Sequence, residues 1–252
     1  MSIAEELESA RTRSRAIPPV RARLSGLADA YSVQREWAER RVRAGARVVG
    51  RKIGLTSRDA QAKFDTEQPD FGMLFDDMAI RSGDPVVTSS LIRPRVEAEV
   101  AFVLERSLAD PRVELDEVRG SVAYVVAALE IVDSRVADWD ITLLDTVADN
   151  ASSGCFVLGD VPLTLHEVAP AEVTVTVLLN GELAATGSGA SCMGDPLRAL
   201  TWLARVSAES GQPLAAGDLV LAGALGPMVP VSGGDDVHAD FGALGEVRAR
   251  FS

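Results

Sequence analysis

The chain has 252 residues, enough for one large domain with a full core, and its 47% hydrophobic and 25% charged residues are ordinary globular proportions. A formal net charge of -12, with no basic cluster interleaved with aromatics, argues against nucleic-acid and membrane-surface partners. No stretch approaches the ~18 uninterrupted apolar residues of a membrane span, and the N-terminal MSIAEELESARTRSRA lacks the apolar centre of a secretory signal, so the expected location is the cytoplasm.

Residues 2 to 16 and 27 to 45 carry helical apolar spacing, the second with Leu27, Tyr31, Val33, Trp37 and Val42 on one stripe and Gly45 as a stop. RVVGRKIGL (47 to 55) reads as a glycine-interrupted strand, followed by a capped helix beginning near Thr56-Ser57. EQPDFGMLFDDMAI (67 to 80) mixes Pro, Gly, Asp and Phe, which predicts an ordered loop. Beyond residue 95 strand patterns dominate: 96 to 105, 122 to 133, 153 to 158, 172 to 179, 218 to 222, 227 to 231 and 246 to 251. Asn180-Gly181 signals a hairpin between VTVTVLL and ELAAT. Helices are expected at about 114 to 120 and at 196 to 211, the latter with Pro at its start and Gly at its end. The series is no regular βαβ alternation. It predicts an α+β fold with a mixed, mostly antiparallel, curved sheet and a helical N-terminal segment over 1–45, the remaining 46–252 forming the main domain.

Two features of the sequence point to chemistry. In RPRVEAEVAFVL (93 to 104) period-2 alternation puts Val96, Ala98, Val100, Phe102 and Leu104 on one face and Glu97, Glu99, Ala101 and Val103 on the other. YVVAALEIVDSR (124 to 135) is a second apolar strand interrupted by one carboxylate, Glu130. Three glutamates on otherwise apolar strands repel one another and lose solvation unless a cation compensates them. Ligation by oxygen alone suits Mg²⁺ or Mn²⁺. Neither His166 nor His238 lies at a ligand-like spacing, which disfavours zinc. The second feature is Lys52. Of 25 Lys+Arg only Lys52 and Lys63 are lysine, so a lysine at 52 suggests a need for a compact charge or a removable proton, whereas Lys63 in SRDAQAKFD reads as a solvated helix residue. Cys155 and Cys192 show no CxxC spacing and read as reduced core or near-site residues. No GxSxG, GxxxxGK[ST] or HExxH motif occurs, and the glycine-rich GSGASCMG (187 to 194) reads as a tight loop whose amides face a ligand carboxylate.

Six separated stretches, VVGRKIGLTS (48 to 57), QPDFGMLFDDM (68 to 78), RPRVEAEVAFVL, ALEIVDSRVADW (128 to 139), DTVADNASSG (145 to 154) and GALGPMV (223 to 229), together resemble a known family. It is the 2-keto-4-pentenoate (2-hydroxypenta-2,4-dienoate) hydratases of aromatic meta-cleavage pathways, within the fumarylacetoacetate hydrolase superfamily. The related 4-oxalocrotonate decarboxylases share the carboxylate motif and VADNAS, whereas QPDFG, Asp138-Trp139 and GALGPM are hydratase-like. The chain departs from the usual hydratase pattern at Ala222, commonly Thr, and at Asp195, commonly His.

The resemblance implies that 46–252 is a fumarylacetoacetate hydrolase-like catalytic domain. It implies that Glu97, Glu99 and Glu130 ligate Mg²⁺ or Mn²⁺, and that Lys52 and Asp70 are catalytic. It implies a metal-dependent hydro-lyase adding water to 2-hydroxypenta-2,4-dienoate or a short homologue to give 4-hydroxy-2-oxopentanoate. The runner-up is a 2-oxo-3-enedioate decarboxylase of the 4-oxalocrotonate type. A small-molecule substrate, a homo-oligomer and association with other pathway enzymes are further expectations. Lys52 beside a metal is expected to have its pKa lowered by like charge. Arg51, Ser152, Ser188 and Ser191 are secondary candidates for holding the substrate carboxylate, while Asp76, Asp77 and Asp133 read as loop and strand-end residues.

Overall fold

A computed structural model describes residues 1–252. In chain order the elements are α1 Ile3–Thr12, α2 Leu27–Arg43, β1 Val48–Gly54, α3 Arg58–Lys63, β2 Asp70–Phe75, β3 Ala79–Ile80, β4 Pro85–Val86, β5 Arg95–Leu104, α4 Leu115–Arg119, β6 Val122–Val132, α5 Leu143–Ala148, β7 Ser153–Leu158, β8 Thr174–Leu179, β9 Glu182–Ser188, α6 Pro196–Glu209, β10 Leu219–Ala224, β11 Val229–Pro230, β12 Asp236–Asp240 and β13 Glu246–Phe251. One sheet runs β2-β1-β10-β5-β6-β7-β3, with β11 pairing the start of β5; the second runs β4-β13-β12-β8-β9. Only β1/β10, β3/β7 and β4/β13 are parallel, so the mixed, mostly antiparallel expectation holds.

The larger sheet curls. β1 and β6 are separated by β10 and β5, a span of about 14 Å on a flat sheet. Yet Lys52 of β1 and Glu130 of β6 meet at 3.2 Å, which requires the sheet to wrap toward itself. The inner face thereby encloses the carboxylates. The outer apolar face of β5, including Val96, Val100, Phe102 and Leu104, joins a continuous core that also takes in Ile3, Leu7 and Trp37 of the N-terminal helices.

The local chemistry explains most boundaries. Ser2 and Glu5 form a capping box on α1, and Ser57 caps α3 by accepting from the Ala60 amide. Asn180 and Gly181 both take positive φ in the β8–β9 turn, as the hairpin signal requires. Two expectations fail. The buried face of α2 is Ala30, Gln34, Trp37, Ala38 and Arg41, whereas Leu27 and Val42 of the expected stripe are exposed. Residues 70–75 form strand β2 rather than a loop, paired antiparallel with β1 from Gly54↔Asp70 to Val48↔Phe75. The far side of β2 is covered by Asn150, whose side chain accepts from the Met73 amide at 2.7 Å and donates to the Met73 carbonyl at 2.9 Å. A side-chain amide thus satisfies this edge as a neighbouring strand would.

Candidate active site

Glu97 lies directly opposite Glu130 across the β5–β6 ladder, and Glu99 follows two residues on, on the same face. One carboxylate oxygen from each of Glu97, Glu99 and Glu130 lies within 4.8 Å of the others. Glu99 and Glu130 are buried and Glu97 is half-buried. Glu99 Oε2 accepts from the Gly223 amide at 2.7 Å. Oε1 of Glu99, however, is buried without a hydrogen-bond partner, and Oε1 of Glu130 has only the Lys52 ammonium, 3.2 Å away. A buried anionic oxygen without a partner is costly. A hard divalent cation coordinated by oxygen would remove that cost, so the donor set fits such a cation.

Lys52 is the buried counter-charge: its Nζ lies 3.2 Å from Glu130 Oε1 and donates a hydrogen bond to Oε2 at 3.3 Å. Burial works against its charge, but Glu130, Glu97, Asp70 and Glu99 outweigh burial and hold it protonated above the usual lysine range. The expected lowering depends on a cation's like charge, and the carboxylates alone act in the opposite direction.

Asp70 begins β2 beside Gly54, fully enclosed, with Oδ1 unpartnered. Burial pushes it up to about 6 against the pull of Lys52, with Glu130 adding to the rise. Burial likewise pushes Glu97 up to about 7, against Lys52 and with help from Glu130. Glu99 is driven well above the carboxylate range by burial, Glu130 and Glu97. Four carboxyl groups therefore surround one ammonium.

The secondary candidates separate cleanly. Arg51 alternates to the opposite face of β1 from Lys52, where its Nη2 donates to the Gln212 carbonyl at 2.8 Å. Ser152 is buried, with Oγ 3.4 Å from Thr146 Oγ1, and Ser191 is exposed. In the glycine-rich loop the amides of Ser188, Gly189, Cys192, Met193 and Gly194 donate to Leu225, Val173, Gly189, Thr56 and Ala190 carbonyls, so these amides are committed within the fold. Asp76 and Asp77 pair with Arg47 and Arg41, and Asp133 accepts from the Ile92 and Arg93 amides. Asp195 caps α6 by accepting from the Leu197 amide, which gives the departure from histidine a structural role. Cys155 and Cys192 are free and buried, and burial pushes both thiols up to about 12. His166 is exposed and His238 sits on β12 beside Glu246.

Sequence reasoning missed Arg95. The alternation that pairs Glu97 with Glu99 also puts Arg95 on their face, two residues toward the start of the strand. Its guanidinium carbon lies 4.3 Å from the centre of the Trp139 ring.

A curled, mostly antiparallel sheet holding a largely buried carboxylate triad, a lysine and an aspartate defines a metal-fitting small-molecule site. The family model described as fumarylacetoacetate (FAA) hydrolase C-terminal matches residues 42–252, and the chain belongs to this family. It is 46% identical over 253 residues to a 2-keto-4-pentenoate hydratase of Burkholderia vietnamiensis, covering 100% of this chain and 97% of that protein. It is 38% identical to a 2-hydroxyhexa-2,4-dienoate hydratase of Comamonas testosteroni, covering 89% and 86%. Among solved structures, a 4-oxalocrotonate decarboxylase of Pseudomonas putida G7, complexed with magnesium and adipate, superposes with a TM-score of 0.96 at 35% identity, covering 99% and 95%.

Proposed function

We propose that this protein is a metal-dependent hydro-lyase that adds water to 2-hydroxypenta-2,4-dienoate, or a short homologue, to give 4-hydroxy-2-oxopentanoate. The observation that carries the reading is the Glu97, Glu99 and Glu130 triad, with Glu99 and Glu130 buried and Glu99 Oε1 unpartnered, set beside Lys52 and Asp70. The choice of hydratase follows the 46% identity over the whole chain, against 35% to the decarboxylase. The high TM-score to the decarboxylase reflects a shared scaffold, on which sites rather than folds set the reaction.

In this reading Glu97, Glu99 and Glu130 hold Mg²⁺ or Mn²⁺. When bound, the cation supplies Lewis-acid stabilisation to negative charge developing on the substrate's 2-oxygen. The residues move the protons. The dienol loses its 2-hydroxyl proton and gains one at C5, giving 2-oxopent-3-enoate; hydroxide then joins C4 and a proton joins C3, a net gain of one water. Lys52 offers an ammonium proton and a fixed positive charge beside the reacting chain. Asp70, with its proton affinity raised toward neutrality, accepts the proton of the attacking water.

The test is the ultraviolet absorbance of freshly generated 2-hydroxypenta-2,4-dienoate with Mg²⁺ or Mn²⁺ and then with chelator, the product being identified by mass spectrometry. Metal-dependent loss of the dienol signal with a gain of one water is expected. No turnover, with CO₂ released from 4-oxalocrotonate instead, assigns the site to the decarboxylase reaction.

A further inference from the structure

Arg95 is the one arginine on the triad-bearing face of β5, and although its backbone pairs in the sheet, its guanidinium makes no hydrogen bond or ion pair within the chain. Its half-buried guanidinium is held only by stacking over Trp139, at 4.3 Å. Trp139 is itself fixed: its Nε1 donates to the Arg93 carbonyl at 3.0 Å, and Arg93 Nη1 pairs with Asp138 at 2.6 Å. Asp138 and Trp139 adopt φ of 58° and 56°, the left-handed turn that brings the indole back over β5. These side chains line a cavity of about 610 Å³ together with Pro230 and Ser232.

Register places this cation relative to the reacting groups. Lys52 pairs with Leu221, and Leu221 with Ala101, so Lys52 lies level with the inner part of β5, beyond Glu99. Asp70 pairs with Gly54, two residues along β1 from Lys52. Arg95 lies at the opposite end of the triad, about 7 Å from Glu97 along the strand. The guanidinium therefore flanks the outer end of the triad, while Asp70 lies level with Glu99 and the Lys52 ammonium reaches Glu130, opposite Glu97.

We infer that Arg95, stacked on Trp139, binds the substrate's C1 carboxylate at the outer end of the triad, leaving C4 and C5 to extend inward toward Asp70 and Lys52. This rests on the hydratase reading for the identity of the reacting carbons. The guanidinium suits the task because its planar fork stacks on an aromatic ring and still presents paired donors to a carboxylate. Lysine offers neither.

The test uses the Mg²⁺-loaded full-length protein, comparing wild type with Arg95→Gln, Arg95→Lys and Trp139→Phe. Steady-state KM and kcat for 2-hydroxypenta-2,4-dienoate are measured, with calorimetric Kd values for the unreactive 2-oxopentanoate and its neutral amide, 2-oxopentanamide. Arg95→Gln is expected to raise KM and the 2-oxopentanoate Kd by about ten- to a hundredfold, the range for a lost charge-assisted hydrogen bond. Its preference for acid over amide falls by the same factor, while kcat and the Mg²⁺ half-saturation change by less than about threefold, as for uniform binding. Arg95→Lys and Trp139→Phe fall between wild type and Arg95→Gln. An Arg95→Gln protein with unchanged Kd for the acid, or with an equal loss for acid and amide, overturns the inference. So does a loss confined to a dicarboxylate such as adipate, since that puts Arg95 at the far end of the chain. A wild type that binds 2-oxopentanoate through Arg95 yet does not hydrate the dienoate supports the inference while removing the hydratase reading. A wild type that binds no 2-oxo acid removes both.

Discussion

Asp70 and Lys52 are shaped by the same cluster in a way that divides their work. Burial alone would neutralise both, but the surrounding carboxyl groups reverse the effect on the ammonium and reinforce it on the aspartate. The result is a lysine that keeps its proton and an aspartate whose proton affinity is raised, about 6 before any cation is counted. Lys52→Met and Asp70→Asn are each expected to lower kcat by about 10²- to 10⁴-fold, the usual loss on removing a general acid or base. The Mg²⁺ half-saturation should stay within a few-fold for Asp70→Asn, since Asp70 lies outside the triad. Lys52→Arg separates charge from proton transfer, because guanidinium does not deprotonate in this range. Near wild-type turnover in Lys52→Arg with metal bound would remove the acid–base role and leave an electrostatic one. Single-turnover and steady-state rates with a metal titration check all three variants.

At the scale of elements, the triad was legible because its glutamates interrupt otherwise apolar strands, and β5 and β6 are ten and eleven residues long, enough for the interruption to stand out. β2 was not legible. Pro69, Asp70 and Gly72 are turn formers, and Gly72, Met73, Leu74 and Phe75 are buried on both faces, so no alternation marks the strand. Helix α5 was missed because six residues carry too few turns for a period. It is fixed instead by Asp145, which accepts from the Thr142, Val20 and Arg21 amides. Nor does local pattern disclose that Lys52 reaches Glu130, because the curl of the sheet decides it. One glycine makes the β1–β2 pairing usable as a site: a Cβ on Gly54 would lie 2.2 Å from Asp70 Oδ1. Gly54→Ala must therefore displace the aspartate. Expected is a kcat loss approaching that of Asp70→Asn, with the Mg²⁺ half-saturation and thermal melting transition nearly unchanged. A Gly54→Ala enzyme with full turnover would show that the position of Asp70 does not matter.

Taken as a whole, the molecule encloses within its curled sheet a carboxylate centre that burial makes electrostatically unfavourable and that, in the proposed reading, a cation joins. Glu97 is pushed up to about 7 and Asp70 to about 6 by burial, and Glu99 is likewise driven well above the usual carboxylate range. The unfolded chain releases these protons near pH 4, whereas the folded metal-free chain retains them to higher pH. The folded state then binds more protons than the unfolded one, so these groups lower stability as pH rises. Their favourable contribution is complete below pH ~4 and is lost as pH climbs through about 7. A cation that binds only the folded state reverses this by competing with the protons, worth about 2.7 kcal/mol at a hundredfold excess over Kd. For a chain of this size that raises Tm by about 5 to 10 °C. Melting curves in chelator should therefore fall between pH 5 and 7, and excess Mg²⁺ or Mn²⁺ should raise Tm more at pH 8 than at pH 5. Glu99→Gln removes one buried carboxyl of raised proton affinity while keeping its shape, so in chelator at pH 8 it should melt above wild type and gain less from metal. A wild-type Tm indifferent to divalent cations at pH 8 would count against metal binding by the triad, and equal melting of Glu99→Gln and wild type in chelator would refute the electrostatic cost assigned to it.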